Sequence, residues 1–274
     1  MRLFVHPTRA CNLSCSGCYL TDVPPNEKEE RASLLGYLGI ADKFGFEELS
    51  LLLNPHNEVK EDFVLLSRAK ALKWTTNVTT THQVALIMSE KNLSNVDILS
   101  ISVDTERYKT PEQALKWLQK VREHIPAEWP GTLNVNLTYT EQVFEWVKDP
   151  SFITSLKEHA DMVNHLMMKP VEQYYGSYEH FYSLLKGLWE LPHMDIMGKK
   201  TKNDMVEPCM YHMLGIEPCS AGYDELSLSP EGLLSPCVFA PHYIDATTPQ
   251  KFREYLVQWS EKPRRKVARC SLVE

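Results

Sequence analysis

The sequence lacks the features that mark several large classes of protein. No uninterrupted apolar run approaches the roughly 20 residues that a membrane-spanning helix needs, and the first residues are too polar for a secretory signal. Acidic side chains number 36 and basic ones 29, which gives a net charge of −7, whereas nucleic-acid-binding surfaces are basic. We therefore expect a cytoplasmic protein that binds neither nucleic acid nor a membrane.

Cysteine is missing from the 190 residues between Cys18 and Cys209, because the seven cysteines fall into two groups near the ends of the chain. Cysteines that serve only as core residues would be spread along the core elements. An odd number of cysteines in a chain with cytoplasmic character does not favour a disulfide framework. Two tight groups instead predict two metal sites.

The first group has the spacing C-x3-C-x2-C and comprises Cys11, Cys15 and Cys18. Three thiolates so close together in one loop must bind a single metal ion or metal cluster. A lone zinc ion would need a fourth ligand, for which His6 is a candidate. An iron–sulfur cubane accepts three thiolates and leaves one iron open, and soft thiolate ligands suit it.

A strand, then C-x3-C-x2-C, then an aromatic residue close to the start of the chain resembles the radical S-adenosylmethionine (SAM) superfamily. The resemblance implies that Cys11, Cys15 and Cys18 hold a [4Fe-4S] cluster whose fourth iron is chelated by the amino and carboxylate groups of SAM. It also implies that Tyr19, which follows the last cysteine, contacts the adenine of SAM through its backbone.

Short apolar strands alternate with helices through the first 170 residues, a pattern that predicts βαβ units and a parallel sheet. The predicted strands are Leu3–His6, Glu48–Leu53, Lys73–Val78, Val96–Val103, Thr132–Thr140 and Met162–Met168. Six repeats are fewer than the eight of a closed barrel. The resemblance implies an α/β fold with a partial (β/α)6 open barrel.

Active sites of such barrels lie at the carboxyl ends of the strands, so polar residues there are candidates. The residues expected to bind SAM are Asn54, Thr76, Asn77, Ser102, Asp104 and Asn136. Asn54 stands where the family often has Gly-Gly-Glu, and it offers a carbonyl oxygen but no charge. Alternative roles are a turn for Asn54, a core filler for Ser102 and a helix cap for Asp104. Strand-end position alone suggests His165, Lys169 and Tyr139 as a general base.

The second group resembles the SPASM and twitch extensions of the same superfamily, which hold auxiliary iron–sulfur clusters. Cys219 and Cys237 frame the spacing C-x12-G-x4-C, which predicts a hairpin that turns at Gly232. Only Cys270 follows, so we expect one auxiliary [4Fe-4S] cluster of the twitch type. Cys209 is the candidate fourth ligand, with a spare thiol or hydrogen-atom donor as its alternative; a zinc site with His212 or His242 is the alternative for the group.

These features divide the chain into a radical SAM partial barrel (residues 1–170), a helical connector (171–208) and a twitch-like extension (209–274). The resemblance implies reductive cleavage of SAM to a 5′-deoxyadenosyl radical, with electrons from a donor such as flavodoxin. We expect oxidative modification of a natural-product intermediate by hydrogen-atom abstraction. No leader-binding domain is recognised before the first strand, which favours a small molecule over a peptide. The alternatives are peptide maturation, sulfur insertion at an open auxiliary iron, and a non-catalytic zinc-binding protein.

Overall fold

The architecture is taken from a computed structural model, which describes residues 1–15, 18, 31–167, 175–193, 204–206, 224–237 and 244–261. Ten strands form one sheet in the order β10-β9-β8-β1-β2-β3-β4-β5-β6-β7. Their bounds are β1 Arg2–Val5, β2 Glu48–Leu52, β3 Thr75–Thr80, β4 Ile98–Val103, β5 Thr132–Tyr139, β6 Met162–Met167, β7 Asp204–Val206, β8 Glu225–Leu228, β9 Leu233–Ser235 and β10 Ile244–Asp245.

All neighbouring pairs from β8 through β1 to β7 are parallel, and only β9 and β10 are antiparallel. The sheet is open, since the order is linear and does not return on itself. This arrangement confirms the predicted α/β fold with a partial barrel. The predicted hairpin is also present, and β8 joins the main sheet beside β1 instead of standing apart from it.

Helices lie between successive parallel strands and contact the sheet and one another. Their bounds are α1 Arg31–Asp42, α2 Val59–Asp62, α3 Val64–Ala71, α4 His82–Ala85, α5 Glu90–Leu93, α6 Pro111–His124, α7 Glu141–Val147, α8 Pro150–His159, α9 Tyr178–Trp189 and α10 Pro249–Glu261. Capping explains where several begin: the Thr110 side chain accepts the backbone N–H of Gln113, and Pro111 occupies the first turn of α6.

The helix that follows the hairpin packs on the outside of the barrel. In α10, Phe252 packs against the ring of Tyr37 from α1 with centroids 4.9 Å apart, and Trp259 stacks near Phe46. The Tyr37 hydroxyl donates to the carbonyl of Ala246 at 2.9 Å. The apolar side of this C-terminal helix is thus buried against the first helix of the barrel.

The two faces of the sheet differ in composition because successive side chains of a strand point to opposite sides. The outer face packs against the helices: Tyr139 of β5, for example, lies 4.8 Å from Phe144 of α7 between ring centroids. Outer-face residues that are fully buried are Leu49, Leu51, Val78, Leu99, Ile101, Leu133, Val135 and Leu137. The opposite, inner face of the same strands is largely polar.

The predicted strands lie within one or two residues of the observed ones, and β3 is displaced at both ends. The third strand was predicted at Lys73–Val78 but runs over Thr75–Thr80, and Lys73 instead adopts a positive φ of 63° in the preceding turn. The connection from β3 to β4 contains two short helices, α4 and α5. Among the described residues, no helix combines the length and the low polarity needed to cross a bilayer.

Candidate active site

The loop that carries the first cysteine group leaves β1 and lies against the carboxyl end of β2. The backbone N–H of Asn12 donates to the carbonyl of Pro55 at 2.7 Å. The side-chain amide of Asn54 donates to the carbonyl of Thr8 at 3.3 Å. Asn54 therefore helps to fix the cysteine loop, a contact that the sequence alone did not reveal.

The segment after Pro55 is itself fixed by a buried pair. His56 Nε2 lies 2.8 Å from Asp62 Oδ2, and the backbone N–H of Glu58 donates to His56 Nδ1. Because Nδ1 accepts, the proton sits on Nε2 and is donated to the carboxylate. This pair anchors the turn that supports the cysteine loop.

Backbone N–H groups of the loop make one hydrogen bond to a thiol and one within the backbone. The backbone N–H of Leu13 donates to Cys11 Sγ at 3.4 Å, and the N–H of Cys18 donates to the carbonyl of Cys15 at 3.3 Å. Cys11 is exposed and the other two are half-buried. Across the described parts of the chain, no three His, Cys, Asp or Glu side chains converge as a metal site. The fit to an iron–sulfur cluster therefore rests on the donor set: three soft thiols in one loop, with a backbone N–H at sulfur.

An ion pair lies at the carboxyl end of β4. Arg107 Nη1 contacts Asp104 Oδ2, and Asp104 Oδ1 accepts the backbone N–H groups of Glu106 and Arg107, each at 3.0 Å. Burial raises the pKa of the Cys15 thiol, and the charge of Arg107 opposes that rise. Sequence reasoning identified Asp104 but missed Arg107, whose ion pair with Asp104 is seen only in the structure.

Aromatic contacts hold the segment that presents Arg107. The Tyr108 hydroxyl lies 2.8 Å from His82 Nδ1, and the His82 ring stacks on Trp117 with centroids 4.4 Å apart. Burial lowers the pKa of His82 to about 4 and raises that of Tyr108, so both rings are neutral near pH 7. The turn after β4 is thus fixed from both sides.

The inner face of the barrel is polar but uncharged along β3–β6. Asn164 Nδ2 donates to Asn136 Oδ1 at 2.8 Å, and Ser102 lies opposite Asn136 in the strand register. The buried oxygens Ser50 Oγ, Asn134 Oδ1 and Asn164 Oδ1 have no hydrogen-bond partner among the described residues. Buried polar atoms are normally paired, so these oxygens suit a polar ligand or water inside the barrel.

Thr76 and Asn77 lie lower in the barrel than predicted, because β3 begins at Thr75. Thr76 is on the outer face, where its hydroxyl donates to the carbonyl of Asn95 at 2.7 Å and its N–H donates to Asp97. Asn77 is on the inner face and accepts from Ser100 at 3.5 Å. The structure therefore does not bring Thr76 together with the cysteine loop.

Tyr139 and His165 lie on the outer face of the sheet, on the side opposite Asn136 and Asn164. The Tyr139 hydroxyl is 2.8 Å from His165 Nδ1, and both side chains are fully buried. The Tyr175 hydroxyl donates to the carbonyl of Tyr139. This placement gives the two residues a packing role and does not bring them into the inner cavity.

The hairpin β8–β9 meets the cysteine loop through a second ion pair. Arg9 Nε contacts Glu231 Oε1, and the carboxylate of Glu231 is almost fully buried. Gly232 follows with a φ of +75°, and a side chain there would lie within 2.9 Å of the Thr247 backbone, so this turn requires glycine. Cys237 is half-buried two residues after β9. Five predicted ligands and site residues lie outside the described residues: Tyr19, Lys169, Cys209, Cys219 and Cys270.

Comparisons with solved structures define the fold. No family model matches the sequence, and a search of curated proteins gives no match. SuiB from Streptococcus suis bound to precursor peptide SuiA is similar with a TM-score of 0.65 and 16% identity over 96% of this chain and 65% of SuiB. SuiB bound to S-adenosylmethionine gives a TM-score of 0.61 and 17% identity over 96% of this chain and 66% of SuiB.

A second protein has the same architecture. Native anSMEcpe with bound S-adenosylmethionine has a TM-score of 0.61 and 12% identity over 96% of this chain and 84% of that one. It has also been solved with S-adenosylmethionine and the Cp18Cys peptide. This chain spans slightly less than two thirds of the length of SuiB. Its partial barrel is therefore the fold seen in SuiB and anSMEcpe, both of which have been solved with S-adenosylmethionine bound.

Proposed function

We propose that this protein is a radical SAM enzyme. The observation that carries the proposal is the C-x3-C-x2-C loop, pinned by Asn54 and Pro55 to the carboxyl edge of a partial barrel. The similar structures hold S-adenosylmethionine in the same fold. The cysteine motif and the fold are independent observations that indicate the same function, and together they support the proposal more strongly than either alone.

Cys11, Cys15 and Cys18 would hold the cluster, and the inner face would receive SAM and the substrate. When bound, the cluster and SAM supply one-electron cleavage of the sulfonium and hydrogen-atom abstraction by the resulting 5′-deoxyadenosyl radical. The chain's own part is to orient these groups and to exclude water and stray hydrogen donors. The helix-covered outer face, which is largely apolar and buried, provides that closed wall.

Four of the predicted SAM-binding residues remain proposals that the geometry supports. Asn54 touches the cysteine loop, while Ser102 and Asn136 lie side by side on the inner face toward the carboxyl ends of β4 and β5. Asp104 reaches the same region through its pair with Arg107. Thr76 does not belong with them, because its hydroxyl is used by Asn95 and Asp97 on the outer face.

We propose a peptide substrate, in place of the small molecule that the sequence favoured. Both SuiB and anSMEcpe have been solved with peptides. The uncharged inner face supports this choice, because asparagine and serine side chains pair well with amide groups. We propose an oxidative reaction by hydrogen-atom abstraction, because the sequence resembles the radical SAM superfamily. The proposed electron donor is a flavodoxin-like protein.

We also propose one auxiliary cluster at the hairpin, held by Cys237 with Cys209, Cys219 and Cys270. The hairpin itself and its glycine turn support this part of the proposal. The alternative of sulfur insertion at an open iron depends on whether Cys209 is a ligand. If Cys209 is not a ligand and the iron is open, Cys209→Ala would leave the spectrum of the auxiliary cluster unchanged; if Cys209 is the fourth ligand, the spectrum would change.

The test is anaerobic reconstitution with iron and sulfide, followed by reduction with dithionite in the presence of SAM. We expect about eight irons and eight sulfides per chain and formation of 5′-deoxyadenosine, measured by chromatography. Replacement of Cys11, Cys15 and Cys18 by alanine should abolish that product and remove about four irons. The matched control is Cys237→Ala, which should reduce the iron content and retain the cleavage of SAM.

Persistence of 5′-deoxyadenosine in the triple variant would refute the proposal. A colourless protein that retains zinc after anaerobic purification would support the non-catalytic alternative instead. Substrate class is tested separately, by mass spectrometry of synthetic peptides incubated with the active enzyme.

A further inference from the structure

The loop that carries Cys11 is held from two sides at the carboxyl edge of the sheet. On the side of β2, the backbone N–H of Asn12 donates to the carbonyl of Pro55 at 2.7 Å. On the side of β8, Arg9 Nε contacts Glu231 Oε1. Arg9 stands two residues before Cys11, whereas Glu231 lies 222 positions further along the chain. This second contact therefore ties the first cysteine loop to the β8–β9 hairpin.

The turn that presents Glu231 is closed by three hydrogen bonds. The backbone N–H of Ser229 donates to the carbonyl of Leu233 at 2.9 Å, and the N–H of Leu233 donates to Ser229 Oγ at 3.2 Å. The N–H of Gly232 donates to the carbonyl of Ser229 at 3.0 Å. Strand β8 itself pairs with β1, the strand from which the cysteine loop leaves. The carboxylate is thus fixed relative to the start of that loop.

The carboxylate of Glu231 is withdrawn from water, since its side chain is only 2% exposed, whereas that of Arg9 is 20% exposed. The second carboxylate oxygen, Oε2, has no hydrogen-bond partner among the described residues. An ionised carboxylate buried in this way needs a cation, because an unpaired buried charge makes folding less favourable. Movement of the loop away from the hairpin would leave that charge unpaired, so the pair opposes such movement.

We propose that Glu231 is a positioning residue for the first cysteine loop. Through Arg9 it holds the backbone two residues before Cys11 against the hairpin. The hairpin, and not the barrel alone, thereby determines how long the three thiolates of the loop retain their cluster. The statement about the cluster rests on the proposed function. Glu231 acts only through Arg9 and is not a ligand of the cluster.

The first test measures the loop in the metal-free protein, by hydrogen–deuterium exchange of residues 10–13. Glu231→Gln keeps the shape of the side chain and removes its charge. The backbone N–H groups of the loop should then exchange about tenfold faster, the change expected when one charge-assisted hydrogen bond is lost. Arg9→Gln should have the same effect. The control is Tyr37→Phe, which removes a hydroxyl that donates to the carbonyl of Ala246; it should lower the urea midpoint and leave exchange in the loop unchanged.

The second test measures how long the reconstituted protein keeps its cluster. An iron chelator is added, and the loss of the electron paramagnetic resonance signal that changes with SAM is followed, so that a cluster at the second cysteine group is not counted. Glu231→Gln and Arg9→Gln should each lose this signal about tenfold faster than the wild type. The double variant should also lose it about tenfold faster and not about a hundredfold, because both substitutions remove the same contact. Arg9→Lys keeps the positive charge and should lose the signal more slowly than Arg9→Gln.

Wild-type rates of exchange and of cluster loss in Glu231→Gln would overturn the inference, as would a double variant whose effect is the product of the two single effects. Equal changes of the loop in Tyr37→Phe and Glu231→Gln would also overturn it, because general destabilisation would then explain both. If a single variant does not fold, the double variant decides, since it leaves no unpaired charge; its rates must exceed those of the wild type.

These negative results would leave the proposed function standing, because the cluster would still assemble and SAM would still be cleaved. A wild-type protein that assembles no cluster at Cys11, Cys15 and Cys18 would instead overturn the proposed function. The exchange experiment, which is done without metal, would then still decide whether Glu231 positions the loop.

Discussion

The outer and inner faces of the parallel sheet are made by alternate residues of the same strands, yet they differ sharply in chemistry. In β5, Leu133, Val135 and Leu137 point toward the helices, whereas Asn134 and Asn136 point inward. Buried apolar groups stabilise the fold through their removal from water. Buried polar groups without partners make folding less favourable. Their presence on the inner face therefore indicates that this face binds a polar ligand.

The largest difference in stability between the two faces is expected for substitutions at adjacent residues of β5. Leu133→Ala should lower the free energy of unfolding by about 2–5 kcal/mol, because it removes a fully buried side chain and leaves a cavity. Asn134→Ala should cost less than about 1 kcal/mol, because its carbonyl oxygen has no partner to lose. Urea unfolding of the two variants measures the difference, and equal losses would contradict the assignment of faces.

The second prediction concerns the outer-face pair that strand-end position suggested as a general base. Tyr139→Phe should lower the free energy of unfolding by about 1–3 kcal/mol, since it leaves His165 Nδ1 buried without its hydroxyl partner. The rate of SAM cleavage per reconstituted cluster should not change. If Tyr139→Phe instead lowered the rate of SAM cleavage and left the free energy of unfolding unchanged, Tyr139 would have a role in the active site.

The smallest effect is expected on the inner face. Asn136→Ala should weaken SAM binding by about two- to tenfold, which corresponds to one hydrogen bond worth about 0.5–1.5 kcal/mol. The control is Val135→Ala on the outer face of the same strand, which should reduce stability and leave SAM affinity intact. Equilibrium binding of SAM to the reconstituted protein measures both, and an unchanged affinity in Asn136→Ala would remove that residue from the site.

The face of the sheet on which Tyr139 lies could have been predicted from the sequence, because side chains alternate between the two faces along a strand. Tyr139 is three residues after Asn136 on one strand, and an odd spacing places two residues on opposite faces. His165 likewise follows Asn164 directly. Closeness to the end of a strand thus identified the right region, whereas the alternation of side chains identifies which residues in that region face a ligand.

The boundary of β3 was not predictable in the same way. The segment Thr75–Thr80 has little apolar periodicity, and the predicted strand included Lys73 and Trp74. Trp74 instead lies before the strand, where its indole N–H donates to Asp42 at 2.9 Å. Pairing with β2, which sets Glu48 opposite Thr75, fixes the start, and pairing partners are not visible in the segment itself.

The sequence by itself determined the local and periodic features of this protein. Cysteine spacing within one loop, the alternation of strands and helices, and the glycine at the hairpin turn all depend on residues close in the chain. Only the tertiary structure decided which distant residues meet: Asn12 on Pro55, Asn54 on Thr8, and Glu231 on Arg9. The physical reason is that parallel strands bring their carboxyl ends to one edge of the sheet, so loops far apart in sequence become neighbours there.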